Sequence, residues 1–565
     1  MADAALPKSL IVLKRYSARA LTADLIAGIT VGLVALPLAM AFAISSGVKP
    51  EAGLYCAIVA GFLISALGGS RFQIGGPTGA FVVVVASIVA TYGLDGLFMC
   101  TMMAGGILIV LGATGMGSAV KFIPRPVVVG FTNGIGVLIA STQIKDFLGL
   151  RVDAPSEFWP RMVAIARGLG TYSVAATALA GASLVTLIVW RRLVPKVPGY
   201  IVALLAGTAI VALFRLPVET IGTKFGGIPA GWPTLTMPRF RLELVGVLFR
   251  PALTVAMLGA LESLMSAVVA DRMGGDRHNP NVELVAQGIA NVASPLFGGL
   301  PATGAIARTA TNIRSGAQTP VSGMVHALTL LAVLLVAAPL ARFIPLSVLA
   351  AILLVVSYNV GDWGEIRELL KLTKMDISVW IVTFALTVFA DLTLAVETGM
   401  ILAMLLFIRK VSQTTTVSLV TPEYVEAGRV HILQDKKIPD YVSVFRIHGP
   451  LLFGVTDKVA RITDHADGLA PIVIVRLRNM TAIDATGLRA LEDLADRLHG
   501  VGRELILCGA PKQPAGLMRQ AEFHHHVGAE NICPNIKAAL ERANAIRAAS
   551  ATGAAAFHRA SAPSQ

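Results

Sequence analysis

Residues 75–84 read GGPTGAFVVV and residues 299–308 read GLPATGAIAR. Each places Thr-Gly-Ala shortly after a proline and at the head of an apolar run. Proline and glycine both interrupt helices, so the chain breaks twice, in nearly the same words, inside hydrophobic territory. Other motifs recur at similar spacing. Thr78-Gly79-Ala80 returns as Thr303-Gly304-Ala305, an offset of 225 (303 − 78). Gly68-Gly69 returns as Gly298-Gly299 and Phe122-Ile123-Pro124 as Phe343-Ile344-Pro345. Small shifts around one offset indicate a copied unit whose loops were resized afterwards.

The surroundings identify the solvent. Of 565 residues 55% are hydrophobic and 14% charged, and the mean hydropathy is +0.72. Soluble domains carry about a quarter charged residues, so a polytopic helical membrane protein is expected. Segmentation gives about fourteen apolar segments between residues 25 and 410. The shortest, 78–93 and 304–316, are the two that open with Thr-Gly-Ala. The net charge of +13 matches the positive-inside bias rather than a nucleic-acid surface. Basic residues gather at Lys8, Lys14, Arg15 and Arg19, at Lys121 and Arg125, at Arg191, Arg192 and Lys196, and at Arg409 and Lys410. An even number of crossings puts these clusters and both termini on one side, taken as the cytoplasmic face of the cell membrane. Arg215, Lys224, Arg239, Arg241 and Arg250 then fall outside.

By this count seven crossings separate the two Thr-Gly-Ala copies, so the second is inverted, as in many secondary transporters. The expected fold is fourteen segments in two inverted seven-segment repeats, about 21–214 and 246–411, followed by a small soluble α/β domain. Two half-helix N-termini would then face one point near the mid-plane and favour an anion. The substrate-binding candidates are Phe42, Thr78, Gly79, Ala80, Gly304, Ala305, Ile306 and Arg308. Glu262 stands alone in ALTVAMLGALESLMSAVVA; an ionisable residue at mid-helix is a functional candidate, read here as the site of proton coupling. Its bland alternative is a strut paired with an arginine, and Arg308 is the nearest in pattern. Asp391 and Glu397 read as surface charges.

The domain boundaries expected are 1–20 as an N-terminal segment, 21–411 as the transport domain, 412–437 as linker, 438–548 as the soluble domain and 549–565 as a disordered tail. Within the soluble domain YVSVFRIHG, PIVIVRL and ELILCG read as strands, and GLRALEDLADRLHG and NIKAALERANAIRAA as helices. His524-His525-His526 has no neighbours that complete a ligand set, and the four cysteines lack CxxC spacing. No P-loop or catalytic signature is present. No enzyme, cofactor or metal site is expected.

ALPLAMAFAISSGVKPEAGLY, IGGPTGA, VVADRMGGDRHNPNVELVAQGIAN and LPATGAIARTATNIRSG resemble the sulfate permease (SulP) family of anion transporters. RIHGPLLFG followed by LRNMTAIDATGLRAL resembles its STAS domain. The resemblance implies a core-plus-gate fold, homodimers in the lipid membrane, elevator-like movement and a small anion as substrate: sulfate, with bicarbonate or a C4-dicarboxylate as alternatives. It implies half-helices starting at Thr78 and Gly304. Several positions depart from the pattern. Leu38 stands where many members carry glutamine. Sodium-coupled bicarbonate members carry aspartate at Glu262, threonine at Ile306 and glycine at Arg308. Isoleucine offers sodium no oxygen and arginine repels it, so proton coupling is expected over sodium. Ala485 follows Asp484 where anti-sigma antagonists carry their phosphorylated serine, and Thr486 reads as a helix cap. A nucleobase-type permease of the same architecture, and a membrane-anchored signalling protein, are the competing readings.

Overall fold

In a computed structural model the described residues are all but 1–5, 15, 118–123, 195–197, 236, 362, 391, 420–437, 465–467 and 561–565. They divide into two compact units, Met1–Ala403 and Met404–Gln565.

The first unit is helical. Its principal helices are α1 (Ala18–Ser45), α2 (Pro50–Leu67), α3 (Phe81–Ala113), α4 (Arg125–Leu148), α5 (Val174–Leu193), α6 (Gly199–Phe214) and α7 (Val245–Gly274). They continue with α8 (Pro280–Leu296), α9 (Ile306–Arg314), α10 (Val321–Ala341), α11 (Leu346–Val360), α12 (Lys374–Phe389) and α13 (Leu392–Thr414), which crosses into the second unit. Gly93, at φ 71°, divides α3 into two arms, so these helices supply the apolar segments the sequence predicts. By length and composition seven described helices suffice to cross a membrane, and a pair bent by 115° at residues 171–174 would make an eighth. Among the others α9, with nine residues, reaches well under half of a 30 Å hydrocarbon core at about 1.5 Å per residue.

The helices pack through small residues. A Cβ on Gly105 of α3 would stand 2.7 Å from the Gly288 carbonyl of α8, and one on Gly288 would stand 2.6 Å from that of Gly105. Bare backbones let two helices meet without a strong hydrophobic drive, as membrane helices must. The neighbour relations alternate between the halves. α1 and α2 lie on α10, while α7 and α8 lie on α3; α4 lies on α12, while α11 lies on α5.

Two dipeptide strands cross between the halves. β1 (Gly75–Gly76) pairs antiparallel with β2 (Thr303–Gly304), with Gly75 opposite Gly304 and Gly76 opposite Thr303. Their length hides them from any periodicity argument.

The second unit is a five-stranded sheet in the order β3 (Thr416–Leu419), β4 (Val442–His448), β5 (Ile472–Asn479), β6 (Glu504–Cys508), β7 (Ile532–Cys533). The β3–β4 pair is antiparallel and the rest are parallel. Helices α14 (Thr456–Asp464) and α15 (Ala485–Gly500) cover one face, and α16 (Ile536–Ala560) the other. The expected strands and helices are found, with three differences. Thr416–Leu419, expected in the linker, is the edge strand, held by cross-strand pairing that four residues of sequence do not reveal. The helix α16 continues to Ala560, where a disordered tail was expected; Ala is the strongest helix former. Asp484, not Thr486, caps α15, accepting from the Gly487 N–H at 2.8 Å. The remainder of the expected linker, 420–437, lies outside the described residues.

Candidate functional site

The breaks are where the sequence puts them, but the half-helices begin later. They start at Phe81 and Ile306 rather than at Thr78 and Gly304. The reason is the β1–β2 pair. Thr303 and Gly304 are extended to pair with Gly76 and Gly75, so the helix cannot open until Ala305, whose N–H donates to the Ile74 carbonyl at 2.8 Å. Thr78-Gly79-Ala80 forms the lead-in turn, in which the Phe81 and Val82 N–H groups donate to the Thr78 and Gly79 carbonyls. Ala80 and Ala305 are buried N-caps without side-chain hydrogen bonds.

One helix, α7, touches both breaks. The Thr78 hydroxyl donates to Glu262 Oε2 at 2.8 Å. One position further on, Ser263 Oγ accepts from the Gly304 N–H at 3.0 Å and lies 2.8 Å from Thr303 Oγ1. Thr303 also donates to the Gly259 carbonyl at 3.0 Å. A further turn along, Ser266 donates to Thr309 Oγ1 at 3.1 Å, and Thr309 accepts from the Ile74 N–H. Gly259, Ser263 and Ser266 form a stripe at helical spacing that anchors the second break.

Arg308 is buried, 2% exposed. Its Nη2 donates to the Pro77 carbonyl, and its Nη1 would lie 2.7 Å from a Cβ on Gly76. Gly76, at φ 144°, admits the guanidinium only because it has no side chain. No ion pair joins Arg308 to Glu262: the carboxyl faces Thr78 and the guanidinium faces Pro77. The alternative reading, a strut that pairs the two, is therefore not formed. Ile306 sits two residues before Arg308, about 200° around the helix, and is 39% exposed. The two are thus on opposite sides of α9, not on one wall.

Phe42 of α1 is buried, and a Cβ on Gly79 would stand 3.4 Å from its ring and 2.9 Å from Ile139 Cδ1 of α4. Phe42, Gly79 and Ile139 therefore share one wall. Gly304 lacks a side chain for a different reason. A Cβ there would fall 1.8 Å from Gln73 Nε2 and 3.1 Å from the Ser263 Cα. The space beside Gly304 is filled by protein.

Sequence reasoning passed over Gln73, Ser263 and Thr303, and also His326 of α10, whose fully buried ring lies 3.6 Å from a Cβ placed on Gly61. Two of them carried a signal: Thr303 is the counterpart of Thr78 in the repeated tripeptide, and Ser263 stands next to the lone carboxyl and one turn from Ser266. Away from the breaks, Glu397 pairs with Arg250 at 2.8 Å, and Asp391 lies outside the described residues. His526 Nδ1 stands 3.0 Å from Asp496 Oδ1. In the sheet domain burial pushes the Cys508 thiol up to about 12, with Arg476 beside it acting the other way.

The arrangement brings together two half-helix starts through the β1–β2 pair, with a buried guanidinium beside them and one carboxyl hydrogen-bonded to the lead-in of the first. Comparison with known proteins agrees on the kind of molecule. Residues 21–383 match the sulfate permease family and residues 434–539 the STAS domain. YvdB of Bacillus subtilis, provisionally named a sulfate transporter, is 43% identical over 92% of this chain and 97% of its own. The bicarbonate transporter BicA of Picosynechococcus is 30% identical over 93% of this chain and 95% of its own. The murine Slc26a9 anion transporter, solved facing inward, superposes with a TM-score of 0.85 at 18% identity over 96% of this chain and 94% of that one, a likeness of fold. The chain is a multi-span membrane protein with a C-terminal STAS domain, and it belongs to the sulfate permease family of transporters.

Proposed function

We propose that this chain is a secondary transporter of small anions, sulfate first, coupled to protons through Glu262. The observation that carries the reading is the antiparallel β1–β2 pair, which brings the starts of α3 and α9 together beside Glu262. The first N–H groups of a helix have no partner within it and carry the positive end of its dipole. Two such ends facing one point, with the Arg308 charge behind them, attract an anion. Thr78, Gly79 and Ala80 supply the backbone of the site at the first break, Gly304 and Ala305 hold the start of α9 in place through their bonds to Ser263 and the Ile74 carbonyl, Phe42 is the wall and Ile306 the exposed edge.

The alternation of neighbours between the halves supports inverted repeats over about 21–214 and 246–411, since exchanging α1, α2 and α3 for α7, α8 and α10 turns one set of contacts into the other. Transport then proceeds by an elevator-like movement, in homodimers, with both termini cytoplasmic. Among the described residues Glu262 is the one carboxyl bonded to a break, where it accepts from the Thr78 hydroxyl at 2.8 Å, so a proton taken up by this carboxyl is taken up beside the start of α3. A buried guanidinium next to the breaks repels sodium, which favours the proton.

Bicarbonate is the second reading, favoured by a transmembrane domain of BicA that is 34% identical with a TM-score of 0.59 over 69% of this chain. Uptake of labelled sulfate, bicarbonate and fumarate into proteoliposomes, under a proton or a sodium gradient, separates the readings. Sulfate should accumulate with the proton gradient, and Glu262→Gln should abolish that accumulation. Accumulation that follows sodium alone sinks the coupling, and uptake of none of the three sinks the reading.

A further inference from the structure

A cavity of about 450 Å³ lies where the end of α4 meets the starts of α5 and α11 and the 217–224 segment. Its charged lining is Lys145, Asp146, Arg151, Asp153, Glu219 and Lys224. The segment is fastened to the start of α11. The Leu346 N–H donates to the Glu219 carbonyl at 3.0 Å and the Ile221 N–H to the Ile344 carbonyl at 2.9 Å. Ser173 caps α5 and is tied to α4 through its N–H on the Leu148 carbonyl at 2.9 Å. The cavity is built, not a seam between moving parts.

Its polar groups are underused. Ser347, in the first turn of α11, is 3% exposed, lines the cavity, and its hydroxyl has no hydrogen-bond partner among the described residues. Lys224 Nζ stands 3.6 Å from Asp146 and 3.7 Å from Glu219, too far for a full hydrogen bond to either. Lys145, Arg151 and Asp153 enter no ion pair among the described residues. Three cations and three carboxylates cancel. What tips the balance is the start of α5 and the start of α11, each worth about half a positive charge.

One helix, α4, runs from the first break to the cavity. Ile139 of α4 faces Gly79, and Gln143, one turn on, donates to Ser45 Oγ of α1 at 3.0 Å. Asp146 follows Ile139 by seven residues, about 10 Å along the helix. We propose that this cavity is a second anion site, one that binds a small oxyanion on its way to or from the breaks, with Ser347 and Lys224 as its principal ligands. It takes the identity of the anion from the transport reading and nothing else.

Val218→Cys puts a reporter thiol on the cavity wall; the four native cysteines are all buried and form a quiet background. In the purified full-length chain, sulfate should slow alkylation of this thiol by a small neutral maleimide saturably, whereas sodium gluconate of equal ionic strength should not. Ser347→Ala with Lys224→Gln should raise the half-protecting sulfate concentration about tenfold, the loss of a hydrogen bond to a charged group. Arg151→Gln, an exposed change that leaves folding alone, should raise it about threefold. Glu262→Gln should leave protection unchanged. Protection by gluconate alike, protection that survives both sets of cavity variants, or protection that Glu262→Gln removes overturns the proposal. A chain that transports no anion yet keeps sulfate protection refutes the transport reading and leaves the cavity site standing.

Discussion

The two breaks carry the same tripeptide and are held in opposite ways. At the first, the Thr78 hydroxyl reaches across to an ionisable group, Glu262, and Gly79 faces the ends of two side chains, Phe42 and Ile139. At the second, the Thr303 hydroxyl is committed to Ser263 and the Gly259 carbonyl, the Gly304 N–H to Ser263, and the space over Gly304 to Gln73. The first break is bounded by groups that can move or titrate, the second by backbone and buried hydroxyls. A repeated motif thus supplies two similar helix starts, while its neighbours pack one of them against buried hydroxyls and backbone and give the other a carboxyl, the group through which the proposed proton coupling would act.

The comparison is easiest to break at the glycines. Gly304→Ala forces a methyl against the Gln73 amide and the α7 backbone, an overpacking of about 1–3 kcal/mol or more. We expect a clear fall in thermal stability in detergent and uptake below about a tenth of the parent's. Gly79→Ala meets only the flexible end of Ile139 and a ring at contact distance, so its loss in the same melt should be less than half as large. Equal losses would mean that the two breaks are held alike.

The hydroxyls come next. Ser263→Ala leaves a buried Gly304 N–H unpaired, at a cost of about 1–3 kcal/mol, whereas Thr78→Val removes one bond worth about 0.5–1.5 kcal/mol. Melting curves should show that order. Proton dependence of uptake should show the reverse, with Thr78→Val altering the pH profile and Ser263→Ala lowering the rate at every pH. Glu262→Gln keeps an acceptor for Thr78, so it should shift the melting temperature by no more than about 2 °C while removing the response to a proton gradient. The smallest effect belongs to the STAS domain. Its Cys508 thiol, held up to about 12 by burial, is the unreactive neutral form at pH 8, and mass spectrometry after maleimide treatment should find it modified only in the denatured chain.

Much of this was legible in the residues. Thr-Gly-Ala after proline marked both breaks, one carboxyl in an apolar helix marked Glu262, and alternating apolar runs marked three of the five STAS strands. Other features were not legible, each for a local reason. The dipeptide strands β1 and β2 are too short for a period. Gln73 looks like an ordinary polar residue until its amide is packed against Gly304. Ile306 and Arg308, two apart in sequence, share a motif but not a face. The half-helices open later than the motif suggests because strand pairing holds Thr303 and Gly304 extended.

By itself the sequence determined the solvent, the helical class, the positions of the breaks and the boundary between an apolar and a polar unit, because these depend on composition and spacing within a few turns of chain. Only the tertiary structure decided that Glu262 meets Thr78 across 184 residues and that Arg308 meets Pro77 across 231. Such pairs exist only once α3, α7 and α9 are packed together, and no local preference distinguishes Glu262 bonded to Thr78 from Glu262 paired with Arg308. The choice is made by which buried groups the closed fold leaves without another partner.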